Sequence, residues 1–150
     1  MIGTALAKQS GNPAAFRACS DAASQEVKAM TKTVLVADDS ATMRTMVGLT
    51  LKSAGFEVIT AVDGKDALAK SGGAKIDMVI TDLNMPGMDG IALIKELRET
   101  PANRFTPIVM LTTESEVVGR EKGKQAGASG WIFKPFSPSK LLETVNRLAR

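Results

Sequence analysis

The sequence predicts an α/β fold: a doubly wound, five-stranded parallel sheet with helices on both faces. Three observations predict it. From Thr33 onward, short apolar runs alternate five times with helical patterns. The runs TVLVA (33–37), IDMVIT (76–81) and PIVMLT (107–112) are almost wholly apolar, as strands covered on both faces require. The chain is 44% apolar and 23% charged over 150 residues, enough to bury a core within the length of one domain.

Each element has its own signal. Thr33–Ala37 reads as the first strand, after which Ser40 caps a helix with Met43, Met46, Val47, Leu51 and Ala54 on one face and Gly55 at its end. Phe56–Ala61 is the second strand, and Asp63 caps a short helix ending near Gly72-Gly73. Ile76–Thr81 is the third strand, followed by a helix capped by Asp89 with Ile91, Ile94 and Leu97 inward. Pro107–Thr112 is the fourth strand, and a helix over about 114–126 stops at Gly127. Gly130–Lys134 is the fifth strand, and Ser137-Pro138 opens a last helix whose face is Leu141, Leu142, Val145 and Leu148.

Residues 1–30 differ. They are rich in Ala, Ser, Gln and Gly, and Asn12-Pro13 can start a helix reaching about Lys28. The stripe Phe16, Cys19, Ala23, Val27 is thin, so an N-terminal extension dispensable to the domain is expected, with a functional arm as the alternative. No run approaches the roughly 18 apolar residues of a membrane-spanning helix, and the N-terminus lacks a secretory apolar core. A soluble cytoplasmic protein is the expectation.

Composition excludes several chemistries. There is no His, so Ser-His-Asp and Cys-His catalysis and His-ligated haem are ruled out. A single Cys forbids an internal disulfide or a Cys-rich zinc site. A net charge of +3 is too small to argue for nucleic acid without a clustered patch.

In doubly wound sheets function gathers at the carboxyl ends of the strands. Here those ends carry Asp38-Asp39, Asp82, Thr112-Thr113 and Lys134-Pro135. Each alone reads more readily as a turn, capping or solvated residue than as a catalytic one; four polar strand ends around apolar strands read as a site. Carboxylates about 4 Å apart repel by roughly 4 kcal/mol at an effective dielectric near 20, so the cluster calls for positive charge. Lys134 supplies one such charge, and a hard divalent cation, Mg²⁺ or Mn²⁺, suits an all-oxygen ligand set that leaves room for a phosphoryl group.

The segments VADDS (36–40), TDLNMPGMDG (81–90), LTTE (111–114) and AGASGWIFKPF (126–136) resemble the receiver domain of two-component response regulators, and more narrowly CheY-like chemotaxis regulators. The match spans about residues 31–150, with Asp82 standing 43 positions after Asp39, Thr112 30 after Asp82, and Lys134 22 after Thr112. The resemblance implies strand order 2-1-3-4-5 and a self-catalysed phosphorylation and dephosphorylation rather than conventional enzymatic turnover. Asp82 would be the phosphoacceptor. Asp39, Asp82 and the Asn84 carbonyl would bind Mg²⁺, with Asp38 acting through water. Lys134 would pair with the phosphoryl oxygens, Thr112 would move to hydrogen-bond them, and the Lys134-Pro135 bond would be cis.

Asn84 and Glu114 each lie two positions past a site residue. They read either as exposed turn and helix-start residues or, by the resemblance, as the pair that tunes dephosphorylation. Trp131 stands where the family usually has Tyr or Phe. It reads as a half-buried packing residue or as a switch aromatic coupled to Thr112. Gly119 and Gly123, inside the fourth helix, serve either close packing or a helix kept marginal. Arg120, Lys122, Lys124, Lys140 and Arg147 form either a solvated face or an output face for an acidic, partly apolar peptide. With the sequence ending at Arg150, a stand-alone regulator is expected, monomeric, with no nucleic-acid or membrane partner. It would be phosphorylated by a CheA-like histidine kinase and bind the flagellar motor switch. The alternative is a phosphorelay intermediate, phosphate sink or kinase regulator facing a histidine phosphotransfer protein. An aspartyl-nucleophile phosphatase of the haloacid-dehalogenase type is disfavoured, because its second Asp falls on Asn84. A dinucleotide-binding enzyme is disfavoured by the lack of G-x-G-x-x-G after the first strand.

Overall fold

The computed structural model describes residues 31–148 apart from 74 and 114. The extension 1–30, with its candidate helix, and Glu114 lie outside the described residues. Five parallel strands form the sheet: β1 (Thr33–Ala37), β2 (Glu57–Ala61), β3 (Met78–Asp82), β4 (Ile108–Thr112) and β5 (Gly130–Phe133). The helices between and after them are α1 (Ala41–Ser53), α2 (Gly64–Ser71), α3 (Gly90–Glu99), α4 (Val117–Ala126) and α5 (Pro138–Leu148). A 3₁₀ turn, Pro101–Asn103, follows α3. The strand order is β2-β1-β3-β4-β5, as the resemblance implied.

The sheet divides the core in two. Val34, Val36, Met78, Ile80, Val109 and Leu111 face α1 and α5, where Val47, Leu51, Leu141 and Val145 close over them. Leu35, Val79, Ile108 and Met110 face the other way, against Leu93, Ile94 and Leu97 of α3 and Ala67 of α2. Successive residues of β1, β3 and β4 therefore feed opposite cores, which is why their sequences are apolar without alternation. Register aligns the functional ends: Ala37 pairs Thr81, Asp82 pairs Leu111, and Thr112 pairs Phe133.

The expected caps form. Ser40 accepts from the Met43 N–H at 3.3 Å, Asp63 from Asp66 at 2.8 Å and Asp89 from Ala92 at 2.9 Å. Several expectations need correction. On α1, Met46 is 37% exposed and Ala54 is exposed. There the small Gly48 is buried instead, and a Cβ added to it would stand 3.8 Å from Val58 Cγ1. On α5, Thr144 is buried while Leu142 and Leu148 only flank the core. β3 starts at Met78, because Asp77 spends its carboxylate on the Thr33 N–H at 2.8 Å before the ladder begins. α4 begins at Val117, later than expected; just ahead of it the Glu116 N–H donates to the Thr113 carbonyl at 3.1 Å.

Gly119 and Gly123 are close-packing positions. A Cβ on Gly119 would stand 2.4 Å from Leu83 Cδ2, and one on Gly123 would stand 2.3 Å from Met110 Cε. α4 ends at Gly127, whose φ of 118° is left-handed and whose N–H reaches the carbonyls of Gly123 and Lys124.

Candidate functional site

Asp38 and Asp39 leave the end of β1, Asp82 is the last residue of β3, Thr112 the last of β4, and Lys134 follows β5. Parallel pairing brings all four ends to one edge of the sheet. One carboxylate oxygen from each of Asp38, Asp39 and Asp82 lies within 4.8 Å of the others. Asp38 is 1% and Asp82 8% exposed, while Asp39 is exposed at the rim. Beside them an open cleft of about 330 Å³ is lined by Asp39, Asn84, Met85, Pro86 and Asp89.

Asp82 is held by two donors that meet on the same oxygen. Lys134 Nζ reaches Oδ1 at 2.8 Å, and the Leu83 N–H reaches it at 2.9 Å. Among the described residues Oδ2 carries no hydrogen bond, so its lone pairs are available for bond formation. The Lys134-Pro135 peptide is cis. Asp82 is also fixed from behind by Gly90, whose N–H donates to the Leu83 carbonyl at 3.0 Å. A Cβ at position 90 would stand 2.4 Å from the Asp82 carbonyl oxygen, so only glycine lets the start of α3 approach the end of β3 this closely.

Asp38 shows what the cluster lacks. Its Oδ1 accepts from the Ser40 N–H at 2.9 Å, but Oδ2 is buried without a partner. Burial pushes the Asp38 carboxyl above the ordinary carboxylate range; the Ser40 N–H opposes the shift and the nearby Asp82 charge adds to it. A buried oxygen with no donor, beside two further carboxylates, fits a hydrated divalent cation. Asp38, Asp39 and Asp82 are placed to hold one, with Asn84 following on the loop after β3.

Thr112 is fully buried, and its hydroxyl donates to Glu116 Oε1 at 3.0 Å. The same oxygen accepts from the Thr113 N–H at 2.7 Å and the Thr113 hydroxyl at 3.0 Å. The Asn84 side-chain amide donates to Glu116 Oε2. Partial burial works against the Glu116 carboxylate, but hydrogen bonds from Thr113, Thr112 and Asn84 outweigh it and hold the group below the ordinary range. Sequence reading missed Glu116. A glutamate four residues after Thr112 looks like part of a helix's first turn, and nothing in the local pattern shows it turning back to the strand end.

The proposed output residues divide. Trp131 is half-buried against the α3 side of the core. It also lines a groove of about 420 Å³ with Phe133, Phe136, Lys140, Thr144 and Arg147. Lys122 and Lys124 are exposed on α4 and do not line that groove. Arg120 is partly buried, its guanidinium 4.9 Å from the centre of the Phe133 ring and 2.6 Å from the Thr113 carbonyl. Val117, Val118 and Phe133 are apolar residues left 54%, 67% and 40% exposed on α4 and β5.

The sequence model described as "Response regulator receiver domain" matches residues 34–146. The chain belongs to the response regulator receiver domain family. It is 38% identical over 117 residues to the transcriptional regulatory protein ResD of Bacillus subtilis, covering 78% of this chain and 48% of ResD. Against Protein PilG of Pseudomonas aeruginosa it is 36% identical over 112 residues, covering 75% of this chain and 83% of PilG. Among solved structures, the chemotaxis protein CheY4 of Vibrio cholerae is 47% identical with a TM-score of 0.76, covering 79% of this chain and 98% of that one. The chain spans about half the length of the first curated relatives it matches. Receiver domains of two-component response regulators generally bind Mg²⁺ in an acidic pocket and act with a histidine kinase. Among the described residues no helix is long and apolar enough to cross a membrane.

Proposed function

We propose that this receiver takes a phosphoryl group on Asp82 from a CheA-like histidine kinase in a Mg²⁺-dependent reaction, and signals in the cytoplasm through contact of its α4–β5–α5 face with the flagellar motor switch. The observation that carries the reading is the site itself: Asp82 with Oδ2 unbonded, Lys134 at 2.8 Å from Oδ1, and the orphaned Asp38 Oδ2 within the carboxylate cluster.

Asp82 Oδ2 attacks phosphorus while the P–N bond of the donor phosphohistidine breaks and the imidazole departs. Lys134 exchanges Asp82 Oδ1 for a phosphoryl oxygen, and Thr112 turns its hydroxyl to another. Asp39, Asp82 and the Asn84 carbonyl would hold Mg²⁺, with Asp38 acting through water, and the bound ion would supply the positive charge that offsets the carboxylates and the incoming phosphoryl group. Asn84 lies at the rim and tunes loss of the phosphoryl group to water; Glu114 is its proposed partner in that role. Domain limits of 31–150 for the receiver, with 1–30 as an extension, belong to the same proposal.

The likeness to a chemotaxis protein over nearly that protein's whole length supports the motor-switch reading. So do the exposed Val117, Val118 and Phe133 together with the cations Arg120, Lys122, Lys124 and Lys140 on α4 and α5, a mix that suits an acidic amphipathic peptide. Beryllofluoride, an acyl-phosphate mimic, in Mg²⁺ is expected to tighten binding of an acidic motor-switch peptide by roughly 5–150-fold. Equal affinity in both states overturns the motor-switch reading in favour of phosphoryl transfer to a histidine phosphotransfer protein.

A further inference from the structure

We propose that Glu116 is a positioning residue that holds Thr112 and Asn84 in the unphosphorylated arrangement, so that activation must take both groups from it. The proposal rests on the reading of Asp82 as phosphoacceptor and goes beyond it. Thr112 has one hydroxyl proton, and with the residue fully buried there is no solvent to share it with. That proton is directed to Glu116 Oε1 at 3.0 Å, with the Thr113 carbonyl a longer alternative at 3.3 Å. A phosphoryl oxygen on Asp82 needs the same proton. The carboxylate of Glu116 is therefore a resident competitor for it, an anion already bound where the phosphoryl group must later be served. Asn84, on the loop next to Asp82, is engaged by the other carboxylate oxygen.

The competitor is anchored independently of both. The Thr113 N–H and hydroxyl hold Oε1 at 2.7 and 3.0 Å. The Glu116 N–H closes the turn on the Thr113 carbonyl at 3.1 Å, and Arg120 donates to that carbonyl at 2.6 Å. Glu116 is also the residue at the start of α4, immediately before the exposed Val117 and Val118. Loss of Thr112 and Asn84 removes the Glu116 side-chain bonds to the last residue of β4 and to the β3 loop, and leaves Thr113 as its remaining anchor. Glu116 thereby connects the reacting edge of the sheet to the face proposed for output.

The test is calorimetric titration of beryllofluoride in Mg²⁺ into the full chain and its variants, with circular dichroism to confirm folding. Glu116→Ala is expected to bind about tenfold more tightly than wild type, the equivalent of about 1.4 kcal/mol of lost competition. Glu116→Gln keeps the size and an acceptor for Thr113 but loses the charge, and is expected to gain roughly threefold, half the free energy of the Ala variant. In a Thr112→Ala background the same Glu116 substitutions are expected to change affinity by less than about twofold, because the group competed for is gone. Unchanged or weaker binding by both Glu116 variants overturns the proposal, as does an undiminished gain in the Thr112→Ala background. Asp82→Asn binding beryllofluoride as tightly as wild type overturns the phosphoacceptor reading instead, and the Glu116 proposal with it.

Discussion

Replacing Asp38 with Asn removes one negative charge from a cluster that holds three carboxylates within 4.8 Å. At that separation two unit charges repel by about 3.5 kcal/mol at an effective dielectric near 20. Lys134, 2.8 Å from Asp82, offsets part of this, and we take roughly 1–2 kcal/mol as the net relief. The substitution retains what Asp38 contributes structurally: an amide oxygen can still accept from the Ser40 N–H at 2.9 Å, and the new NH₂ replaces the orphaned Oδ2 beside acceptors. Metal-free Asp38→Asn is therefore expected to be more stable than wild type. In urea its midpoint rises by roughly 0.5–1 M, for a slope of about 2 kcal/mol per M. The pH dependence has a definite sign. The folded Asp38 pKa is raised above its unfolded value, so the native state binds more protons, and wild-type stability falls as pH rises through that window. Asp38→Asn removes this contribution. Mg²⁺ reverses the order, since a ligand at 100 times its Kd stabilises wild type by about 2.7 kcal/mol and the variant by less. A metal-free Asp38→Asn protein less stable than wild type refutes the electrostatic argument.

Two further outcomes follow from the packing around the site. Gly90→Ala places a Cβ 2.4 Å from the Asp82 carbonyl oxygen, a backbone contact that cannot yield cheaply, and is expected to cost about 1–3 kcal/mol in a urea melt and to slow phosphorylation by acetyl phosphate. Arg98→Ala is expected to cost about 3 kcal/mol by the same melt, because the guanidinium bridges the carbonyls of Asn103, Thr106 and Gly127 at 3.0, 2.6 and 2.7 Å and thus ties α3 to the segment leading into β4 and to the end of α4.

Much of the fold was legible because β1, β3 and β4 must be apolar on both faces, and because Ser40, Asp63 and Asp89 cap the helices they precede. The candidate site was legible for a related reason. Polar residues that end buried apolar strands converge whenever the strands are parallel, so Asp38, Asp39, Asp82, Thr112 and Lys134 point to one edge before any coordinates are known. What periodicity could not carry was contact between distant residues. Glu116 reads as a helical glutamate until Asn84, 32 residues away, is seen to donate to it. Nothing in the sequence singles out Arg98, whose guanidinium donates to the carbonyl of Gly127, 29 residues away. The start of α4 moved for the same reason: the Glu116 carboxylate bonds Thr112 and Thr113, and the helix begins only after it, at Val117. Met46 keeps helical spacing with the core positions of α1, yet the packing places Gly48 against the sheet and leaves Met46 37% exposed.

Asp82 is proposed to supply the carboxylate oxygen of a new O–P bond. Mass spectrometry of the intact protein after incubation with acetyl phosphate and Mg²⁺ tests it most directly. One base-labile phosphoryl adduct is expected on wild type, absent in Asp82→Asn and absent when EDTA replaces Mg²⁺. An undiminished adduct on Asp82→Asn, or one formed equally well in EDTA, contradicts it.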